Sequence, residues 1–471
     1  MSGVLGCLRI RHVVEALNTA WLHLSLLIRA RQSTFPSLFI QRVGATFIVR
    51  VLLTAIGVLT SVIIARLLGP EARGIYGAAI VLGTIGSQFG NLGIHSSNTY
   101  YVAKNRSLLP TLFSNSLCVS AAGGGSISLA LLLLFKWHPG WAPVSGAVLR
   151  IVLVLIPATL GCLLMQNLLL GIQQVKWFNF VDVAGRGVSV VVCGGAALLF
   201  HSLKAEQVVG IALLSTLVTF LLAAGRVLFL IRRLPRPDLT LLRSHVRYGL
   251  RPYLSCLSGY AVLKIDVLMV KHMAGNAAAG YYSLASNMTD LIYMFPTVVC
   301  MMLYPSLLSI LDPFQRWHRA RRTAAAVATV MFVIALCAAV VAEPLMKFAY
   351  GSKFLPAVPA FLVLCCAIIF YGANSVISIY FTSCGQPWLS VLVWPAAALL
   401  NIGLNRYFIA QWGIVGAAIS SLVTYSTLLA VQYAYAKKFS EEATSAAAED
   451  PSVPDITRTA LRTSSTVSAS M

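Results

Sequence analysis

The side chains in this chain that could do chemistry are few, and nearly all of them interrupt long apolar stretches. A charge in such a setting is costly and normally faces a bundle interior or a wet cavity. Arg50 heads a stripe with Thr54, Gly57 and Ser61 at helical spacing, suited to holding a phosphate. Its position near a helix start equally allows it to snorkel to the interface. Gln88, Asn91, His95 and Thr99 share one helical face and offer the fixed donors and acceptors that sugar hydroxyls need. Hydrogen bonds that merely hold helices together use the same residue types. His95 is also a candidate for proton movement, against an ordinary structural histidine. Asp182 and Arg186 stand four apart, where opposite charges pair. That leaves either a structural ion pair, or Arg186 facing an anion with Asp182 tuning it. Arg251 precedes Pro252, and Lys264 and Asp266, two apart, point to opposite sides of a helix. Lys264 suits contact with an anion, with Asp266 as its structural or coupling partner. Ser283, Asn287 and Asp290 share a face. Asp290 has no basic residue one turn away, which makes it the leading candidate for ion coupling.

The elements that must hold these residues follow from composition. Of 471 residues, 58% are hydrophobic and only 10% charged, against roughly 25% charged in soluble domains. Mean hydropathy is +0.82. A soluble globule of this composition would expose large apolar patches, and disorder needs far lower hydrophobicity. A spanning helix takes about 20 apolar residues. Twelve are predicted, near 44–66, 75–101, 109–135, 146–170, 177–200, 207–231, 247–271, 278–308, 323–345, 356–382, 388–408 and 413–436. Of the 35 Lys and Arg, 20 fall in one set of alternate connections and 8 in the other. With positive residues inside, both termini are cytoplasmic. The net charge of +21 then reflects topology and anionic-lipid attraction rather than nucleic-acid binding. Residues 1–43 read as a cytoplasmic, amphipathic segment without the pattern of a cleaved leader. Residues 438–471, rich in Ser, Thr, Ala and Glu, read as a disordered cytoplasmic tail. The ten cysteines have no CxxC spacing and suit apolar filling. No Walker motif, metal site or cofactor motif is present in the sequence.

The chain also repeats itself. RLLGPEARGIYGA at 66–78 aligns with HMAGNAAAGYYSL at 272–284, matching Gly69 with Gly275, Gly74 with Gly280 and Tyr76 with Tyr282. The glycines suit a tight turn with positive φ. The tyrosines suit the membrane interface, hydroxyl outward. GIQQVKW at 171–177 and GQPW at 385–388 form a weaker echo at two helix ends.

Three stretches carry a family resemblance: ARLLGPEARGIYGAAI, the later IDVLMVKHMAGNAAAGYYSLA, and the basic segment 312–322. Over roughly 44–437 the chain resembles the polysaccharide transporter family of oligosaccharide flippases, within the multidrug/oligosaccharidyl-lipid/polysaccharide exporter superfamily. The resemblance implies an all-α polytopic membrane protein with two six-helix lobes, 44–232 and 251–437, linked by a cytoplasmic segment at 233–250 and enclosing a central cavity. It implies movement of an undecaprenyl-pyrophosphate-linked glycan from the cytoplasmic to the periplasmic leaflet of the inner membrane, by alternating access. It implies H⁺ or Na⁺ coupling, no cofactor, and a polysaccharide polymerase and chain-length regulator as partners. Arg50, Gln88, Asn91, His95, Arg186, Arg251, Lys264 and Asn287 are the expected cargo contacts; Asp182, Asp266 and Asp290 are the coupling candidates. The rivals are a multidrug or metabolite antiporter of the same superfamily and a lipid II flippase. A membrane-bound O-antigen polymerase or ligase is a third, disfavoured because no large external loop with a catalytic cluster is present.

Overall fold

Long apolar runs free of charge bury their backbone polar groups only by hydrogen bonding within themselves, and in hydrocarbon that leaves the helix. The computed structural model describes residues 37–199, 203–231 and 236–449, with side chains described from Leu52 onward. Eleven α-helices carry the described chain: α1 (Ser37–Asn91), α2 (Ile94–Lys104), α3 (Leu109–Cys118), α4 (Gly124–Trp137), α5 (Gly146–Gly171), α6 (Val175–Leu199), α7 (Ala205–Leu230), α8 (Leu239–Leu308), α9 (Pro313–Ala349), α10 (Val358–Ser383) and α11 (Trp388–Glu449). Arg50 and residues 1–36 lie outside the residues described to side-chain level, as do residues 450–471. The chain divides into two compact units, Met1–Leu52 and Leu53–Met471. In the first, the described part from Ser37 is helix. Everything below concerns the second.

Among the described residues, nine helical stretches are long and apolar enough to cross a bilayer. Three of them are broken by a glycine at positive φ: Gly69 at 68° in α1, Gly275 at 88° in α8 and Gly413 at 55° in α11. Each break divides a stretch long enough for two crossings, which accounts for the twelve spans expected from the sequence. Leu129, Val191, Leu198, Leu221, Phe229 and Val340 are exposed on outer faces, as a bundle solvated by lipid requires. One large buried core draws on α8 to α11, with Ala65 and Val81 of α1. Four smaller cores lie almost wholly in the first half of the chain, with α5 packed against α2, α4 and α7.

The repeat sits where the two halves meet. A Cβ at Gly74 would collide with the Asn276 carbonyl, and one at Gly280 with the Pro70 carbonyl. Gly77 lies against Ser283, and Arg66 donates to the carbonyls of Ala349 at 2.8 Å and Phe348 at 2.5 Å. From Pro70 the helix runs to Asn91, about 33 Å at 1.5 Å per residue. At that far end Gly93 abuts Gly249 backbone to backbone. Tyr100 stacks on Tyr248 at 4.6 Å, and Tyr101 on His245 at 4.1 Å. The halves therefore touch at both ends of one membrane-length helix.

Local chemistry explains several irregularities. Pro157 inside α5 has no N–H for the Leu153 carbonyl, and the Ser128 hydroxyl of α4 donates to it instead at 2.7 Å. Ser128→Ala is expected to cost about 1 kcal/mol by orphaning that carbonyl, read as a lower melting temperature in detergent. The weak echo is structural: Gln173 and Gln386 both adopt positive φ, 62° and 56°. Each is followed by a tryptophan under an arginine, Arg226 over Trp177 at 4.6 Å and Arg251 over Trp388 at 4.8 Å.

Two expectations are corrected. Tyr282 is not at an interface; it is 1% exposed and its hydroxyl donates to Asp266. Nor does helix end at 438: α11 continues to Glu449, with Lys438 paired to Glu442 at 3.7 Å. The Glu- and Ala-rich sequence there is helix-forming, and its polar surface does not oppose that.

Candidate functional site

Two polar sites occupy the helical interior, one in each half. In the first half, α1, α5, α6 and α7 line a half-open cavity of about 320 Å³. Gln88 of α1, Gln166 of α5, and Asp182 and Arg186 of α6 line it with six serine and threonine hydroxyls; only Leu163 and Cys162 are apolar. The expected Asp182–Arg186 pair forms at 3.5 Å, and Arg186 also donates to the Leu53 carbonyl at 3.5 Å. Both contacts are long, and a guanidinium has five N–H donors, so Arg186 retains free donors toward the cavity. Among the described residues, the amides of Gln88 and Gln166 have no hydrogen-bond partner.

In the second half, Lys264 is paired with Asp290 at 2.5 Å and donates to Ser286 at 3.1 Å. This corrects the expected Lys264–Asp266 pairing and supplies the partner that Asp290 lacks locally. Position 290 of the same long α8 folds back beside 264 after the Gly275 break, which a count of i±4 neighbours misses. The lysine side chain is 13% exposed and the aspartate 41%, so the pair opens on the carboxylate side.

Asp266 points the other way and is 1% exposed. Its Oδ1 accepts from Asn405 at 2.6 Å; its Oδ2 accepts from Tyr282 at 2.8 Å and Ser421 at 2.5 Å. Asn405 also donates to Asn401 at 2.9 Å, while its own Oδ1 is buried without a partner. A void sized for one water lies beside Tyr282, Ser286, Asp290 and Tyr425, between the ion pair and the Asp266 cluster.

The remaining candidates are dispersed. Asn91 and His95 do not line the cavity; they brace a break in the helix. Leu92 and Gly93 both have positive φ, 48° and 79°, and Asn91 Oδ1 accepts from the His95 backbone N–H while its amide lies 2.5 Å from the His95 ring. Asn91, two residues before the N-cap Gly93, thus ties the break to the first turn of the restarting helix, and the helical spacing of the pair reports local structure. The stripe after Arg50 is likewise divided: Thr54 donates to Met294, Gly57 faces Arg186, and Ser61 holds Arg73. Arg251 is exposed, over Trp388, and Asn287 is exposed with no hydrogen-bond partner among the described residues. Sequence reasoning missed Gln166, the Ser215–Thr216–Thr219 face of α7, and the Asn401–Asn405 pair; each is a polar group at helical spacing within an apolar run, the only signal available.

Comparison with known proteins identifies the fold and the family. A relative, the "Probable low-salt glycan biosynthesis flippase Agl15" of Haloferax volcanii, is 22% identical over 52% of this chain, and the match spans about half, 52%, of that protein. A multidrug resistance transporter of the MATE family of the MOP superfamily, in an inward-facing conformation, superposes with a TM-score of 0.62 at 17% identity, covering 83% of this chain and 95% of that one. The lipid II flippase MurJ, in an inward closed conformation, gives 0.62 at 15%, covering 83% and 87%. These likenesses establish the transporter fold. The profile of the family described as "Polysaccharide biosynthesis protein" matches residues 63–359, well over half of the sequence, and the chain belongs to that family, in agreement with the polysaccharide-transporter resemblance of its glycine-repeat segments.

Proposed function

We propose that this protein is a flippase that carries an undecaprenyl-pyrophosphate-linked oligosaccharide from the cytoplasmic to the periplasmic leaflet of the inner membrane, by alternating access. The observation that carries the reading is a polar cavity of about 320 Å³ holding Arg186, within a bundle built to span lipid. A prenyl tail stays in the hydrocarbon, while the pyrophosphate and sugars need fixed polar partners to cross about 30 Å of it. The Lys and Arg bias supports cytoplasmic termini, which makes the Gly93–Gly249 contact the cytoplasmic closure and Gly74–Gly280 the periplasmic one. Lys264, in the other half, is the cationic contact for the headgroup, while Arg186 meets the glycan in the cavity. H⁺ or Na⁺ coupling falls to Asp290, open on one side, and to the buried Asp266. The chain forms no covalent bond; a polymerase and a chain-length regulator act on what it delivers.

The MATE-like fold also suits a multidrug antiporter, but the electrostatics oppose it. Asp182 is balanced by Arg186 in the cavity and Asp290 by Lys264, so neither site presents the net negative charge a cationic drug needs.

The reading is tested in spheroplasts, by lectin access to the lipid-linked repeat unit on the outer surface. Loss of the chain is expected to trap the unit in the inner leaflet and abolish lectin binding. The double variant Arg186→Ala, Lys264→Ala is expected to insert normally and behave like the loss. Unchanged lectin access together with altered drug susceptibility would replace the flippase with the antiporter.

A further inference from the structure

The cavity of the first half has a hydrogen-bonding sense that its residue types alone do not reveal. Five of its six hydroxyls spend their proton on backbone carbonyls: Thr84 on Ile80 at 2.8 Å, Ser87 on Thr84 at 2.8 Å, Ser215 on Gly185 at 2.5 Å, Thr216 on Ala212 at 2.9 Å and Thr219 on Ser215 at 2.8 Å. A hydroxyl that donates elsewhere has only lone pairs left for a ligand. Ser87 and Thr219 are almost fully buried, so the acceptors left open to a ligand are chiefly Ser215 and Thr216, and they favour a ligand that brings donors. Gln88 and Gln166 add two open amides, each able to donate and accept. The only cationic donor at the cavity is Arg186, held loosely enough to turn its fork toward a carboxylate.

Polyamines also bring donors, but Asp182 is already engaged with Arg186, so the cavity has no net negative charge to hold a cation. A polyol carrying a negative group satisfies every part of the wall: its hydroxyls donate to the serine and threonine oxygens, and its anion meets Arg186. The volume lies at the low end of small-ligand pockets, roughly 300–1,000 Å³, which fits one ring rather than an oligosaccharide.

We infer that this cavity is a monosaccharide pocket that takes a single acidic sugar residue, its hydroxyls read by α1, α5 and α7 and its carboxylate held by Arg186 of α6. The inference rests on the flippase reading and narrows it: the transported glycan carries a uronic-type residue, and the pocket holds that unit during the crossing. Selectivity is built in by α6: Arg186 keeps free N–H donors beside its long contact to Asp182, and those donors meet the carboxylate.

Cys162, in the cavity wall, is a native reporter. The purified full-length protein is treated with N-ethylmaleimide, and modification of Cys162 is followed by peptide-resolved mass spectrometry in the presence of glucuronate, methyl glucoside, inorganic pyrophosphate or tetraphenylphosphonium. Glucuronate is expected to slow modification most and methyl glucoside less. Arg186→Gln is expected to abolish the difference between them, a loss of about tenfold in protection, as removal of one charge-assisted contact implies. Gln166→Ala is expected to weaken both sugars alike. A melting temperature in detergent close to the parent shows that each variant keeps its fold. Protection by pyrophosphate but not by glucuronate would assign Arg186 to the lipid headgroup and overturn the inference. Protection by tetraphenylphosphonium alone, or by none of the four, overturns it as well. The lectin assay is independent of this one: a chain whose loss traps glycan but whose Cys162 ignores sugars remains a flippase without this pocket.

Discussion

Asp266→Asn is expected to leave the protein folded, with a melting temperature in detergent close to the parent, yet to lower glycan export about tenfold or more. Asp266→Ala is expected to lower the melting temperature sharply as well. The carboxylate accepts three hydrogen bonds of 2.5 to 2.8 Å from Tyr282, Ser421 and Asn405 while essentially sealed from solvent. Removing it orphans three buried donors, at roughly 1–3 kcal/mol each by soluble-protein experience. Helix-to-helix hydrogen bonds in membranes average about 0.6 kcal/mol, so the sum for alanine falls near 2–5 kcal/mol. Asparagine keeps the shape and one oxygen acceptor and loses the charge. A structural role predicts that export tracks stability across the two variants. A coupling role predicts that Asp266→Asn loses export at near-parental stability. Parental export by Asp266→Asn would remove Asp266 from the transport cycle.

The second large effect concerns the seam between the halves. Gly280→Ala places a methyl group against the Pro70 carbonyl, and Gly74→Ala does the same to Asn276. Both obstacles are backbone, so no rotamer change relieves them. Overpacking of this kind costs about 1–3 kcal/mol. Under the proposed alternating access the strain falls on one conformation, since it disappears when this end of the seam opens. A bias of that size shifts a two-state balance by roughly 5- to 150-fold. Gly280→Ala is therefore expected to keep its helicity, lose most glycan export, and make a cysteine introduced at Asn276 more reactive to a membrane-impermeant thiol reagent. Gly275→Ala serves as the contrast: it strains the turn at a φ of 88°, but its Cβ meets nothing within 4 Å. An Asn276 probe equally reactive in both variants would show that the glycine contact does not close this end.

The route from sequence to structure can be followed at individual residues. The spans, the helical class and the breaks at Gly69 and Gly275 were legible because lipid leaves the backbone one solution, and glycine at a turn advertises itself. The pairing of Asp182 with Arg186 was legible because one helical turn fixes that neighbourhood. Lys264 and Asp290 were both singled out, but their partnership was hidden: it depends on the fold-back after Gly275, which no short-range spacing encodes. Asn91 and His95 misled for the opposite reason. Their spacing is as regular as that of a cargo-binding face, yet it serves a helix break at Leu92 and Gly93, and leucine at positive φ leaves no trace in sequence.

The amino-acid sequence by itself determined the solvent, the number of crossings, the repeat and the small set of charged side chains buried among apolar ones. Each follows from composition or from contacts within a turn or two of helix, where geometry is set by the backbone alone. Tertiary structure decided which of those charges meet, that Tyr282 serves Asp266 rather than an interface, and that the repeat glycines seal one half against the other. It also decided that five cavity hydroxyls donate to backbone carbonyls, because a hydroxyl's proton goes to whichever carbonyl the packed helices bring within reach.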